Sequence, residues 1–229
     1  MVDIMAAIKK PFSDKKTMGI GLVLSAIPVV NLLVEGYALK IAQETIKGKN
    51  SLIPFAIGDI VEYILNFIKA IVIGIVYMIV PLIVMGIGIG SAAAGILSNA
   101  SALSNPDVAL ELVMQNLAVG GPIILIGALL ALIAALILPM AMMKWLKAGK
   151  VMAAFAVVDV IKNALTADYI IAIVVAVIYS MILTIVLGII AAVLGLIPVI
   201  GFVLVMLVMG LASFATQVTT MSMVAQTVK

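Results

Sequence analysis

The sequence of 229 residues lacks several residue types on which much protein chemistry depends. It contains no cysteine, no histidine and no arginine, so all 13 basic residues are lysines. The missing cysteine excludes disulfides and thiolate chemistry, and the missing histidine excludes imidazole metal ligands and histidine-based proton transfer. The missing arginine excludes bidentate clamps on phosphate or carboxylate groups. We therefore expect no metal site, no cofactor and no enzymatic activity.

Charge of either sign is also scarce, at 10% of the residues, whereas 66% are hydrophobic and the mean hydropathy is +1.41. Soluble domains carry about 25% charged residues, so this composition excludes a soluble domain. It excludes a disordered chain as well, because disorder requires few apolar residues. The apolar runs are continuous and do not alternate as they would in a barrel. These features predict an all-α, polytopic integral membrane helical bundle.

The lysines indicate how this bundle is oriented in the membrane. They cluster at 9–16, 40–49 and 144–150, and the loop 98–116 contains none. Because cytoplasmic loops carry an excess of lysine, we expect a multi-pass cell-membrane protein with both termini cytoplasmic and loop 98–116 extracellular. The formal charge of +3 comes from residues that flank apolar segments. It therefore predicts contact with membrane lipids and no nucleic-acid partner.

The apolar runs predict about six membrane segments in three hairpins. Residues 1–17 form a basic N-terminal interfacial segment, and 18–229 form a single transmembrane domain. The first hairpin turns near Pro28, since a straight span would place two lysine-rich segments on opposite faces. Its first arm has about twelve residues, too few to span, so it is re-entrant, tilted or extended by residues 13–17. The other predicted segments are 70–95, 117–143, 169–196 and 202–224.

Two moderately polar stretches, 51–69 and 151–168, predict cytoplasmic interfacial amphipathic helices. Parts of them recur along the chain, because residues 27–61 are related to 147–161 and 197–199. The recurring interfacial residues are Lys47, Asp59, Lys147 and Asp159. Such short matches also arise by chance in apolar sequence, so the internal repeat is one interpretation and coincidence is the other.

A family resemblance rests on three motifs near the N-terminus. These are Lys10-Pro11-Phe12, Ile27-Pro28-Val29-Val30-Asn31 and Gly36-Tyr37-Ala38-Leu39-Lys40. The sequence resembles domain-of-unknown-function family 4013, prokaryotic and often archaeal membrane proteins, most clearly over residues 6–60. The resemblance implies a multi-span, archaeal-type membrane protein. It carries over no functional residues, because the family has no agreed activity.

Glu35 is the one acidic residue well inside an apolar run. A carboxylate at membrane depth is costly and by default suggests function. Asn31 lies four residues earlier on the same helical face, and Lys69 and Tyr37 are candidate partners. We therefore treat Asn31, Glu35 and Lys69 as a candidate intramembrane polar site for an ion or a proton. The alternative is that Glu35 lies near water at the Pro28 turn and pairs structurally.

Three weaker patterns have ordinary explanations. Asp59 and Glu62 share a helix face but have Asp159 and Lys162 as counterparts, so helix capping or interfacial solvation is favoured over metal binding. Asn99 begins an Asn-Ala-Ser triplet in the predicted outside loop and is a candidate glycosylation site. Small residues at every fourth position predict close helix packing or self-association. They are Gly86, Gly90 and Ala94 on one segment, and Gly127, Ala131 and Ala135 on the next.

These observations favour a non-catalytic, lipid-organising or scaffolding membrane component that forms a homo-oligomer or binds other membrane proteins. The alternative is a small-solute or ion transporter or channel that uses Glu35 and Asn31. The two hypotheses differ in whether replacing Glu35 by glutamine reduces flux across a membrane.

Overall fold

The computed structural model describes residues 2–228, except the side chains of residues 102, 103, 106 and 107. Over these residues the chain forms α-helices, short 3₁₀ turns and loops, with no β-strand, so the all-α prediction is confirmed there. The α-helices within this range are α1 (Ile4–Lys9), α2 (Lys15–Ala26), α3 (Asn31–Ile46), α4 (Ile60–Ser98), α5 (Pro106–Ala148), α6 (Val157–Ala164), α7 (Ala167–Leu194) and α8 (Ile200–Ala225).

Four helical stretches are long and apolar enough to cross a membrane: Ile57–Ser98, Val108–Ala148, Ala167–Leu194 and Ile200–Ala225. The mean hydropathies of their most apolar parts run from 2.0 to 3.0, and no more than 28% of the residues there are buried inside the protein. Crossing the hydrocarbon core takes about 20 apolar residues. The chain therefore has the helices of a membrane protein, with most of their apolar surface facing outward.

Helices α2 and α3 are shorter, with 12 and 16 residues. At 1.5 Å per residue they measure about 18 and 24 Å, less than the roughly 30 Å of the hydrocarbon core. Helix α2 begins at Lys15, where the Asp14 side chain accepts a hydrogen bond from the Lys16 backbone N–H. The first arm is thus extended by residues 15–17, one of the alternatives open from the sequence.

The helices group into two compact units. The first consists of the chain up to Ile73 and the chain from Pro139 onward, and the second is Gly74–Leu138. In the first unit, α8 packs against α2, α3 and α7. Its core is a cluster of seven buried residues, Val34, Tyr37, Ile41, Leu52, Tyr63, Phe214 and Val218.

Tyr37 lies at the centre of this cluster. Its ring centroid is 5.4 Å from that of Phe55, 5.6 Å from that of Tyr63 and 6.3 Å from that of Phe214. Its hydroxyl donates a hydrogen bond to the backbone carbonyl of Ile53, so the polar end of the ring is satisfied. Aromatic contacts at these distances add stability beyond the burial of apolar area.

Two glycines allow helices of the first unit to approach closely. A Cβ on Gly36 would lie 1.9 Å from the Tyr63 carbonyl oxygen, and a Cβ on Gly210 would lie 2.4 Å from that of Leu22. Any larger residue would push the helices apart, because backbone atoms cannot move aside as a side chain can. Gly36 therefore holds α3 against α4, and Gly210 holds α8 against α2.

The second unit packs through small residues that differ from most of those predicted. A Cβ on Gly120 would lie 2.4 Å from the Gly88 carbonyl oxygen, and one on Gly127 would lie 2.4 Å from Met85. Gly127 thus packs as predicted, whereas Gly86 and Gly90 have no such neighbour within 4 Å. Small residues at every fourth position lie on one face of a helix, but this spacing does not tell which face packs against the neighbouring helix.

The two predicted interfacial helices differ in the structure. Residues 157–164 form the separate helix α6, which ends before Thr166. The prediction of a separate interfacial helix at 51–69 is wrong, because the residues from Ile60 onward begin the 39-residue helix α4. The physical reason is that residues 60–69 contain no glycine or proline to end the helix before the apolar run.

The N-terminal segment packs against the end of α8. The Asp3 backbone N–H donates to Gln226 Oε1 at 2.6 Å, and Gln226 Nε2 donates back to the Asp3 carbonyl at 3.3 Å. Ala7 lies in a buried cluster with Ala172, Ala176 and Met223. The two ends of the described chain therefore meet at the same end of the first unit.

Candidate functional site

The predicted polar site begins on α3, where Asn31 and Glu35 lie one turn apart. Helix α3 buries Val34, Tyr37, Ala38 and other apolar residues, whereas Glu35 is only half-buried. The helix thus presents an acidic side chain next to the face that packs into the core.

Gln217 of α8 completes this polar group. Its Nε2 donates to Asn31 Oδ1 at 3.2 Å and to Ser213 Oγ at 3.0 Å, so both amide hydrogens are used. Its Oε1 is buried and has no hydrogen-bond partner among the described residues. Gln217 was not among the predicted site residues, because 186 residues separate it from Asn31.

Glu35 and Gln217 line the same cavity of the first unit, which has a volume of about 240 Å³. The remaining lining residues are apolar: Ala38, Leu39, Phe67, Ala70, Met142 and Met221. They come from α3, α4, α5 and α8, so four helices enclose one carboxylate and one amide in an otherwise apolar space.

The predicted partners of Glu35 are engaged elsewhere. The Lys69 ammonium lies 5.8 Å from the centre of the Trp145 ring, at cation–π distance, and the Tyr37 hydroxyl donates to Ile53. Within residues 2–228, no hydrogen bond or ion pair reaches the Glu35 carboxylate. The structure brings Asn31 and Glu35 together with Gln217, and it does not join Lys69 to them.

Asp59, predicted as an interfacial residue, takes part in a three-residue ionic cluster. The Lys40 ammonium is 2.8 Å from Asp59 Oδ2 and 2.8 Å from Glu62 Oε2. It thereby links α3 to the start of α4. From the sequence, Lys40 was placed in the lysine cluster at 40–49 and was not paired with an acidic residue. The opposite charges at the end of α3 and the start of α4, which are close in sequence, were the signal for this contact.

Lys47 lies at the end of α3, beside Glu44. Its ammonium is 2.7 Å from Glu44 Oε1, and Lys49 binds the other carboxylate oxygen. The hydrogen bonds from these two lysines lower the pKa of Glu44 to about 2. Glu44 therefore stays ionised at any physiological pH. Lys47, at the C-terminal end of α3, forms an ion pair with it.

Lys147 and Asp159, the predicted counterparts of Lys47 and Asp59, lie in different surroundings. They line an open cleft of about 410 Å³ together with Lys144. One hundred residues after Lys40 stands Met140, which is fully buried and carries no charge. The internal repeat stays a prediction.

Lys10 is a polar residue that the sequence did not single out. Its ammonium donates to Thr45 Oγ1 at 2.7 Å, and only 4% of the residue is exposed. Burial lowers the pKa of Lys10 to about 8. This lysine fastens the N-terminal segment to the end of α3.

Asn99 is exposed, and its Nδ2 donates to the Gly95 carbonyl at 3.0 Å. Its glycosylation stays a prediction. Among the described residues, no group of three or more acidic side chains could hold a metal ion.

The four long apolar helices are those of a helical membrane protein. The chain belongs to the family described as Protein of unknown function (DUF4013), which matches residues 20–192. The predicted membership is therefore confirmed. No curated protein and no solved structure matches the chain.

Proposed function

We propose that this chain is a non-catalytic integral membrane protein whose α2–α3 hairpin inserts into the cytoplasmic leaflet and organises the surrounding lipid. Four helices cross the cell membrane, and α2 and α3 bring the number of membrane segments to six. Both termini are cytoplasmic and loop 98–116 is extracellular. The hydrogen bonds between Asp3 and Gln226 support this topology, because they hold both ends of the chain at one end of the first unit.

The observation that carries the proposal is the apolar, exposed turn between α2 and α3. Residues 27–30 contain no polar side chain, and Val29 is 77% exposed. Water would be a poor surrounding for such a turn, whereas lipid chains would suit it. The exposed apolar surface at this turn therefore favours a position within the bilayer.

The level at which this hairpin ends supports insertion into one leaflet. The end of α2 contacts α8 at Gly210, where an added Cβ would lie 3.0 Å from the Ala26 Cβ. From Gly210 to Ile200, α8 continues for about 15 Å at 1.5 Å per residue. If α8 spans the bilayer, the turn at Pro28 ends well short of the far surface. A segment shorter than the bilayer perturbs the lipid around it.

Sorting between vesicles of different curvature tests this function. An inserted hairpin that adds area to one leaflet should enrich fluorescently labelled protein in small vesicles over large ones, by about twofold or more. Val29→Lys should abolish the enrichment, because a lysine at membrane depth costs about 2.5–3.5 kcal/mol and would draw the turn to the interface. Val199→Lys, at the α7–α8 turn, is the matched control and should leave the enrichment intact. Equal density of the unmodified protein in both vesicle sizes would contradict the proposal.

The scaffolding part of the proposal concerns self-association. Gly86 and Gly90 lie on an exposed stripe of α4 and have no close neighbour there. Small residues of this kind let membrane helices approach closely, so we propose that copies of the chain associate along this stripe. Gly86→Leu should reduce cross-linked dimers in membranes, whereas Gly19→Leu, at another open glycine, should not.

Transport is the second candidate function, and the cavity at Glu35 favours it. A carboxylate without a partner inside a helix bundle is a typical site for a transported ion or proton. If the chain is a carrier, Glu35→Gln should lower flux into proteoliposomes while the fold is retained. Absence of flux with the unmodified chain would exclude this candidate and leave the lipid-organising proposal standing.

A further inference from the structure

The cavity formed by residues of α3, α4, α5 and α8 contains a carboxyl group without a partner. Glu35 is its one acidic lining residue, no basic side chain lines it, and no hydrogen bond or ion pair within residues 2–228 reaches the carboxyl group. Partial withdrawal from water disfavours the charge of a carboxylate unless a cation or a hydrogen-bond donor lies beside it. A ligand of opposite charge would supply that partner.

The second polar group of the cavity is held in place by the protein itself. Gln217 gives both amide hydrogens to Asn31 and Ser213, which fixes the amide, and its Oε1 is buried away from the cavity surface. The Glu35 carboxyl group is therefore the acceptor that the cavity offers to a ligand.

The apolar walls distinguish among cations. A divalent metal ion takes about six or more oxygen ligands or retains its waters, and only Glu35 offers side-chain oxygen to the cavity. Leu39, Phe67 and Met142 instead offer contacts suited to methylene groups, and an aromatic face also attracts a cation. An organic cation satisfies both the acceptor and the walls.

The size of the cavity suits such a cation. Its volume of about 240 Å³ gives room for an ammonium group with a short alkyl chain.

We propose that the cavity binds a primary ammonium group, R–NH₃⁺, with its N–H donors on the Glu35 carboxylate and its alkyl part against Leu39, Phe67 and Met142. The ammonium belongs either to a free amine or to the headgroup of an aminolipid. This inference rests on the carrier or lipid-binding role proposed for the chain, but binding is an equilibrium property that does not require flux or curvature sorting.

Calorimetric titration of hexylammonium into the full chain in phosphatidylcholine nanodiscs tests the proposal. Saturable binding should be about tenfold or more weaker in Glu35→Gln, because a charge-assisted hydrogen bond is lost. The matched control is Glu111→Gln, which removes an exposed carboxylate outside the cavity and should not change the affinity. Hexanol, which has the same chain without the charge, should bind far more weakly than hexylammonium.

Two nanodisc compositions distinguish the sources of the ammonium. If an aminolipid occupies the cavity, phosphatidylethanolamine nanodiscs should weaken hexylammonium binding to the unmodified chain and not to Glu35→Gln. If the ligand is a free amine, both compositions should give the same affinity. Either result, together with the loss in Glu35→Gln, supports the ammonium site.

A filled cavity gives a second test that leaves the charge in place. Ala70→Leu places a larger side chain in the cavity and should abolish hexylammonium binding while the helical circular dichroism is retained. Absence of binding to the unmodified chain, equal binding of hexanol, or full binding by Glu35→Gln would overturn the proposal. Loss of curvature sorting or of flux with binding intact would overturn only the functions proposed above.

Discussion

The two hairpins of the first unit share the same sequence at their turns but differ in the length of their arms. Ile27-Pro28-Val29 joins helices of 12 and 16 residues, whereas Ile197-Pro198-Val199 joins helices of 28 and 26 residues. Both turns are apolar and exposed, with Val29 at 77% and Val199 at 90% exposure. The turn motif thus determines where the chain reverses direction, and the helix lengths determine how far each hairpin extends.

The hairpins also differ in how they are held. The α2–α3 hairpin packs on α8 through Phe214 and the close approach at Gly210, and on α4 through the close approach at Gly36. The α7–α8 hairpin packs closely at its turn, where a Cβ on Gly201 would lie 2.4 Å from the Leu194 carbonyl oxygen, whereas Gly188 farther along α7 has no neighbour within 4 Å of an added Cβ. Close contacts thus join the short hairpin to two other helices, whereas the long hairpin has the apolar length to be held by lipid as well.

The largest expected effect comes from Phe214, which is fully buried and lies in contact distance of Gly21. Phe214→Ala should lower the free energy of unfolding by about 3–5 kcal/mol, the cost of a large cavity in a packed core. Phe202, 71% exposed near the α7–α8 turn, is the matched control. Phe202→Ala should change the value by no more than about 0.5 kcal/mol. Unfolding by denaturing detergent measures both, and equal losses would contradict the difference between the hairpins.

Gly36 should show the next largest effect. Gly36→Ala places a Cβ against the Tyr63 carbonyl oxygen and should cost about 2–3 kcal/mol as α3 and α4 separate. Gly188→Ala should be neutral or stabilise the protein by up to about 1 kcal/mol, since alanine favours helix. Thermal unfolding in detergent checks the pair. A neutral Gly36→Ala would mean that α3 does not pack closely on α4.

Lys10 predicts a pH dependence at the base of the short hairpin. Burial places the pKa of Lys10 near 8, below its ordinary value of 10.5, so the unfolded chain holds the proton more tightly than the folded one. Stability should therefore rise between pH 8 and 10.5, by up to about 3 kcal/mol at roughly 1.4 kcal/mol for each pH unit. Lys10→Met should remove this rise, whereas Lys9→Met should retain it. A flat profile for the unmodified chain would contradict the burial of this ammonium.

The smallest expected effect concerns the backbone of the two turns. Val199 has a φ angle of 63°, and it is the one residue other than glycine with a positive φ in residues 2–228. Val199→Gly should stabilise the protein by about 1 kcal/mol, because a branched side chain is strained in this conformation. Val29→Gly should bring no such gain. Matched thermal unfolding curves compare the two, and a larger gain at position 29 would contradict the assigned turn geometry.

Much of the fold could be predicted from composition and periodicity. Continuous apolar runs located the four long helices, because a membrane helix must satisfy its backbone internally. Their bounds were less accurate: the run predicted at 70–95 belongs to α4, which extends from Ile60 to Ser98. Hydropathy falls at the first polar residues, whereas a helix continues past them until a residue such as proline or glycine ends it.

The candidate site was predictable only where it is local. Asn31 and Glu35 share a face because they are four residues apart, and this spacing can be read directly. Gln217, which binds Asn31, reaches it through the packing of α8 on α3, and a single sequence carries no signal of that contact. The pairing expected between Lys69 and Glu35 does not form, and the Lys69 ammonium lies instead 5.8 Å from the centre of the Trp145 ring.

We propose that the Pro28 turn ends inside the bilayer, whereas the Pro198 turn reaches the far side. The cysteine-free sequence allows one cysteine-linked fluorescent label at position 29 or 199, with quenching by lipids brominated at shallow or deep chain positions. We expect label 29 to be quenched most strongly by the deep bromines, and label 199 by the shallow ones together with a water-soluble quencher added outside. Equal, shallow quenching at both positions, with both labels accessible from outside, would show that α2 and α3 cross the membrane and that the Pro28 turn does not end within it.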